Sequence, residues 1–354
     1  MEQIEQLVQR PVFFERNRVF RAYLGGKLFH DFFGDENKDG HLPEEWVASD
    51  VKALNKDSAG EKEGVSRILD TDWYLDDLIA QYPQEMLGGR KNLGVLVKLL
   101  DSAIRLPMQA HPDRAFSRQY FHSEYGKAEM WLVLATRENA KLYFGFKDAI
   151  TKEAFADAVE KSRTDKEIMA ALVNETAVSP GDVYFIPPKM VHAIGEGCLI
   201  LEVQEPTDFT VQPEYWCGEY LLNDYEMYLH LDKDTALDCF DYTQFGPQLL
   251  DVGRKIPAPL KQTPEFLAEQ LISEQETGCF GVVRGRLQSG SEPLTCAPAV
   301  VVVTEGAGTV YGDGWERPLA KGDYFLLPYA AGERFSMRTD TGLTWVECMP
   351  ERAV

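Results

Sequence analysis

The stretches "MQAHPD" (108–113), "GKAEMW" (126–131) and "PPKMVHAI" (187–194) hold the side chains best suited to gripping a metal ion. Gln109 and His111 stand at i and i+2, a spacing that puts both on one face of a β-strand. Glu129 opens an apolar strand, and His192 follows another strand just past a proline turn. Two imidazoles, a carboxylate and an amide oxygen, with positions left for water or substrate, suit a catalytic Zn2+ or a similar divalent ion. Pattern alone does not separate this quartet from ordinary core or surface histidines. The other histidines, His30, His41, His122 and His230, read as ordinary side chains.

No histidine lies beyond His230, so a histidine site has to be built in the first part of the chain. Yet the element carrying His192 is used twice. "GDVYFIPP" at 181–188 is echoed by "GDYFLLPY" at 322–329, with Gly181 on Gly322 and Pro187 on Pro328, a shift of 141 (322 − 181). The shift sets His192 opposite Glu333. The second copy therefore reads as a related β unit that has lost its histidine.

The elements around these residues are mainly strands. Short apolar segments broken by Gly, Asp and Pro fill residues 1–60, and 93–111 reads as two strands around a turn at Asp101. Between about 147 and 176 the pattern changes: Phe155, Val159, Ile168 and Leu172 recur at helical spacing, with Thr151 or Ser162 able to cap, which predicts an inserted helical pair. Another helix is expected within 218–242, and the Pro-rich 253–265 reads as a linker. Beyond it, short strands broken by glycine predict a β-sandwich or jelly roll. The expected fold is mainly β: two jelly-roll barrel units, 1–250 with the helical insertion and 255–354 without metal.

A chain of 354 residues is long enough for this. The six cysteines are scattered without a Cys-x-x-Cys pair, which predicts free thiols. A net charge of −21, with no basic run interleaved with aromatics, weighs against nucleic acid. No apolar run approaches 18 residues; "AVVVV" at 299–303 reads as a buried strand, and no membrane partner is expected. The first residues carry no basic region followed by an apolar one, so a cytoplasmic protein is expected. "DENKDGHLPEEW" (35–46) begins like a calcium loop, with Asp35, Asn37, Asp39 and Gly40 in place, but Trp46 stands where a bidentate Glu is required. An acidic turn is the better reading.

The order and spacing of "LVKLLDSAIRLPMQAHPD", "GKAEMW", "GDVYFIPPKMVHAI" and "LEVQEPTD" resemble the class I mannose-6-phosphate isomerases, which are cupin-fold metalloenzymes. "GGKLFHDFFG" with "PEEWVAS", and later "LHLDKDTALD", resemble further segments, so the likeness spans roughly residues 10–240. It implies that Gln109, His111, Glu129 and His192 hold one divalent ion, expected to be Zn2+, and that both units are cupins. It implies an aldose–ketose isomerase passing through a cis-enediol, with Asp208 as base, Lys127 near the sugar oxygens, and Glu44 and Glu202 shaping the pocket. Lys98, Gln212 and Trp46 fall among the expected substrate contacts. Two positions depart from the family: Pro107 replaces a serine and Gln212 an arginine, which thins the anion clamp. The expected partner is a small-molecule sugar or sugar phosphate, and a homodimer is allowed. Alternatives are an isomerase of a different or unphosphorylated sugar, and a non-catalytic sugar-binding regulatory cupin.

Overall fold

Runs rich in β-branched and aromatic residues, closed by glycine and proline, form strands wherever their faces can be buried. The computed structural model describes residues 2–55 and 60–351. Strand outweighs helix, 36% against 20%, and most strands belong to two large antiparallel sheets. The first runs in the order Arg254–Lys255, Val183–Ile186, Glu129–Thr136, Cys198–Gln204, Leu96–Ser102, Glu44–Val47, Arg18–Val19. The second runs Val12–Phe13, Tyr324–Leu327, Ala299–Gly312, Leu343–Pro350, Phe280–Leu287, Phe266–Ile272, Ala258–Gln262.

Leu96–Ser102 and Cys198–Gln204 are buried at every position, because successive side chains serve two different cores. Val97, Leu99, Met130, Leu132 and Leu201 pack with Val282, Val300, Val302, Leu326 and Val346 in a core shared by both sheets. Their neighbours Leu100, Trp131, Val133 and Ile200 turn to the other face and fill the first barrel. Val301, Val303, Phe325, Leu327 and Trp345 fill the second. Stacked sheets with a common apolar layer account for the long uninterrupted hydrophobic runs in the sequence.

Several local expectations change. Residues 93–111 form one strand, Leu96–Ser102, and Asp101 is no turn: its carboxylate accepts the Gly26 and Leu28 N–H groups at 2.7 and 2.9 Å. The stretch 253–265 is not a free linker, since Arg254–Lys255 joins the first sheet and Ala258–Gln262 the second. The chain changes sheet across Ile256 and Pro257. Helix appears at Lys152–Lys161, capped by Thr151, and again at Ile168–Ala171; Ser162 closes the first helix instead of opening the second. The 218–242 segment holds two short helices, Asp224–Tyr228 and Lys233–Leu237, each started by a side-chain cap at Asn223 or Asp232.

The repeated element is real at the strand level. Val183–Ile186 pairs with Glu129–Thr136, and Tyr324–Leu327, offset by the same 141 (324 − 183), pairs with Ala299–Gly312. The copies part after the proline. His192 is buried and begins a strand, whereas Glu333 is exposed in a 3-10 segment, Tyr329–Arg334, and so does not stand at a ligand position. In the calcium-loop lookalike, Asp35 pairs with Arg18 and Asp39 with Arg137 at 2.7 Å, so its carboxylates serve as surface ion pairs. Among the described residues no helix is long and apolar enough to cross a membrane.

Candidate metal centre and adjoining cavity

The His192 strand, His192–Ile194, belongs to a small three-stranded sheet with Lys141–Phe146 and Val173–Ala177. Gln109 is its direct partner, the two residues exchanging backbone hydrogen bonds of 2.9 Å in both directions. Directly opposed residues of this kind project their side chains to the same face. Two residues on, the His111 carbonyl takes the Lys189 N–H at 2.7 Å, closing the turn after Pro187 and Pro188. Glu129 comes from the sheet proper, at the end of its strand, opposite Ile186 and Gln204. Just before it, Gly126 allows a close pass: a Cβ there would sit 2.6 Å from the Pro112 carbonyl oxygen.

His111, Glu129 and His192 converge. Their ligand atoms lie within 4.8 Å of one another, and all three are buried. Each imidazole is oriented by a backbone carbonyl at Nδ1, His111 by Phe209 at 2.9 Å and His192 by Met190 at 2.8 Å. With those protons committed, both Nε2 lone pairs face inward, 3.1 Å apart, and His111 Nε2 is 3.0 Å from Glu129 Oε1. Lone pairs meeting without a proton between them call for a cation. The Lys127 ammonium now supplies one, 3.1 Å from His111 Nε2 and 2.6 Å from Glu129 Oε1. Neither Glu129 oxygen accepts a directed hydrogen bond. Such a donor set, with the imidazoles held by carbonyls, fits a divalent metal ion.

Electrostatics favours the ligating protonation states. Burial, followed by the charge of His111, lowers His192 to about 3, and burial also lowers His111, so both imidazoles are neutral near pH 7. Burial pushes Glu129 upward, but His111 and Lys127 outweigh it and hold the carboxyl well below its usual range.

A cavity of about 390 Å³ reaches this cluster through Gln109 and Lys127. One wall is a charged network. Arg21 binds Glu44 at 3.0 Å and spans both oxygens of Asp208 at 3.0 and 3.1 Å. Lys98 lies 3.4 Å from Glu202, 3.7 Å from Asp208 and 3.9 Å from Glu44. Burial works against Glu44 ionising, yet Arg21 and Lys98 bring it down to about 2. Glu202 goes the other way, raised to about 7 by burial and then by the Glu129 charge. Its Oε2 accepts the Trp131 indole N–H at 2.9 Å.

Of the residues expected to meet substrate, Glu44, Lys98, Gln109, Lys127, Glu202, Asp208 and Gln212 line the cavity together with Pro107. Trp46 does not. It is fully buried and supports the wall from behind, donating its indole N–H to Glu44 Oε2 at 2.7 Å. Sequence reasoning missed Arg21 and Tyr23, which both bond Glu44 Oε1, at 3.0 and 2.7 Å. Their i and i+2 spacing in "FRAYL" was the available signal. Within 210–229 it marked only Gln212 and missed Tyr220, Asn223, Tyr225 and Glu226, which also line the cavity.

No protein-family model matches the chain. Mannose-6-phosphate isomerase ManA of Bacillus subtilis is 29% identical over 243 residues, 68% of this chain and 70% of that protein. The mannose-6-phosphate isomerase of Streptococcus mutans is 25% identical over 325 residues, 90% of this chain and 92% of that protein. Among solved structures, a mannose 6-phosphate isomerase from Bacillus subtilis superposes with a TM-score of 0.74 at 21% identity, over 96% of this chain and 99% of that one. A variant of the phosphomannose isomerase from Salmonella typhimurium gives a TM-score of 0.72 at 15% identity, over 97% and 100%. The mainly β architecture expected from sequence is thus the cupin fold of class I phosphomannose isomerases.

Proposed function

We propose that this relative of the mannose-6-phosphate isomerases is a metal-dependent aldose–ketose isomerase, interconverting mannose 6-phosphate and fructose 6-phosphate. The observation that carries the reading is the convergence of His111, Glu129 and His192 on one point, at the end of a cavity walled by carboxylates and lysines. We assign these three residues and Gln109 as the ligands, and Zn2+ as the ion, on the nitrogen-rich donor set. When bound, the ion supplies Lewis-acid stabilisation for negative charge developing on the sugar oxygens.

The protein's own part is to hold the open-chain sugar and move protons. A base takes the C2 proton, leaving a cis-enediol, and returns a proton to C1, while hydroxyl protons pass between O1 and O2. Asp208, the base that the resemblance implied, is committed at both oxygens to Arg21, and Oδ2 also accepts the Leu54 N–H at 2.9 Å. A carboxylate engaged at both oxygens is better placed to orient sugar hydroxyls than to reach a carbon-bound proton. Glu202 also lines the cavity, and its Oε1 has Lys98 no closer than 3.4 Å. We therefore give the carbon-bound proton to Glu202, with Lys127 beside the reacting oxygens and Glu44 fixing Arg21 and Lys98.

The cysteines are free and five of the six are buried, which supports a reducing, cytoplasmic setting. The test is turnover by zinc-loaded protein of mannose 6-phosphate in deuterium oxide. Fructose 6-phosphate carrying solvent deuterium at C1 is expected; an absence of ketose would overturn the reading. Glu202→Gln should lower kcat by roughly 100-fold or more, and Asp208→Asn should act mainly on KM.

A further inference from the structure

Lys127 reaches the metal cluster on a long flexible stem, so its aim depends on how the backbone beneath it is held. Three successive amides grip that backbone. The Gly126 N–H donates to Glu205 Oε2 at 3.1 Å, the Lys127 N–H to the Pro112 carbonyl at 3.0 Å, and the Ala128 N–H to Glu205 Oε1 at 3.4 Å. The carbonyls on either side are held too. Gly126 accepts the Thr207 hydroxyl at 2.7 Å, and Ala128 accepts the Glu205 N–H at 3.0 Å. Glu205 thus brackets Lys127 from both directions. It is buried, and follows Gln204, the strand partner of Glu129.

Glu205 is steadied in turn by Arg114, the first residue of the helix Arg114–Tyr120, which begins just past the His111 segment. The branches of this guanidinium serve different barrels. Nε donates to Glu205 Oε2 at 3.0 Å, while a terminal nitrogen donates to the Gly278 carbonyl at 2.8 Å. Gly278 closes the short helix Glu274–Thr277 with a φ of 70°, and the strand Phe280–Leu287 of the second sheet starts two residues later. A continuous line of hydrogen bonds therefore runs from the second barrel through Arg114 and Glu205 to the peptide that carries Lys127. We propose that Arg114 and Glu205 are positioning residues for the isomerisation, and that the second barrel, through the Gly278 carbonyl, sets the aim of the Lys127 ammonium. The inference rests on the isomerase reading for what Lys127 does, and on these contacts for how Lys127 is placed. Misplacing a group beside the reacting oxygens by about 1 Å costs up to roughly 100-fold in rate, so a brace this far from the chemistry still governs it.

The experiment measures kcat, KM and bound zinc for Arg114→Ala, Arg114→Lys and Glu205→Gln on mannose 6-phosphate, with melting temperatures alongside. Arg114→Ala and Glu205→Gln should each lose roughly 10- to 100-fold in kcat per bound zinc, with KM changed by less than about threefold. Wild-type kcat in either variant, whatever its melting temperature, would make the pair purely structural and overturn the proposal. Loss of zinc would place the fault at the ligands and overturn it as well. Arg114→Lys keeps a cation for Glu205, but a single ammonium lacks the fork that also reaches Gly278, so kcat should recover only in part. Full recovery would overturn the share given to the second barrel. If the wild type isomerises nothing, the isomerase reading falls, and the placing of Lys127 is decided by chemical labelling. Acetylation of Lys127 by acetic anhydride, read by peptide mapping of zinc-loaded protein, should be at least about threefold faster in Arg114→Ala, because a loosened segment opens more often. An unchanged labelling rate would overturn the proposal.

Discussion

The first and second barrels repeat one strand order, and their registers allow position-by-position comparison. In the first, Glu129 lies opposite Ile186, Trp131 opposite Tyr184 and Glu202, and Glu202 opposite Lys98. In the second, Ala299 lies opposite Leu327, Val301 opposite Phe325 and Glu347, and Glu347 opposite Val283. Where the first barrel has the Glu129 carboxylate the second has the Ala299 methyl group, and where it has the buried Lys98 ammonium the second has the Val283 isopropyl group. One acid survives: Glu347 holds the place of Glu202, and each receives an indole N–H, from Trp345 at 2.8 Å and Trp131 at 2.9 Å. The fold therefore does not need the charges. One barrel carries them and the other has almost none, and there burial drives Glu347 up to about 7.

The largest effect that could break this comparison concerns metal. His111→Ala with His192→Ala should abolish stoichiometric zinc and reduce isomerase activity by at least about 1000-fold, as loss of a metal ion's charge stabilisation implies. Glu347→Gln should leave the metal content whole. Metal retained by the double variant, measured by atomic emission, would dissolve the distinction between the barrels.

Next in size is the pH dependence of stability. Glu347 binds its proton more tightly folded than unfolded, so it contributes stability that is full below about pH 4.5 and lost as pH rises through about 7. The shift corresponds to about 3 kcal/mol. Glu347→Gln should remove that slope from denaturant titrations between pH 5 and 8, with the variant gaining on the wild type as pH rises. Parallel curves would place a cation or water beside Glu347.

Smaller again is Gly126→Ala, which forces a methyl group against the Pro112 carbonyl at 2.6 Å. It should cost about 1–3 kcal/mol and, by displacing Lys127, lower kcat as well. Trp345→Phe, which removes the indole N–H that Glu347 accepts, should cost about 1–2 kcal/mol, chiefly above neutral pH. The equivalent Trp131→Phe should cost activity besides, because Glu202 faces the cavity.

Much of this was legible in the residues. Alternating apolar runs and the Gly-Asp…Pro repeat gave the strands and their duplication, because side-chain period and turn chemistry are local properties. Gln109 and His111 were visible by spacing for the same reason. Arg21, Tyr23 and Glu226 were not singled out: their importance comes from partners 21 or more residues away, or from a cavity closed by segments distant in sequence. Asp101 looked like a turn residue for an equally physical reason. A lone aspartate in an apolar run favours a loop unless buried N–H groups, here from Gly26 and Leu28, reward it inside a strand.

The pairing of Val12–Phe13 with Phe325–Leu326 bears on how the chain is made. Val12–Phe13 finds its partner only once residues 325–326 have been synthesised. Until then, the apolar face that the first sheet will share with the second stays open, including Val97, Leu99 and Met130. Contacts so far apart in sequence slow folding and leave a nascent chain prone to association. A fragment ending near the sheet change at Ile256 would carry that face permanently, and the remaining segment would lack its edge strand. The second barrel, although it lacks the His111–Glu129–His192 cluster, is thus bound into the maturation of the first, and truncation is a poor route to an isolated, folded half.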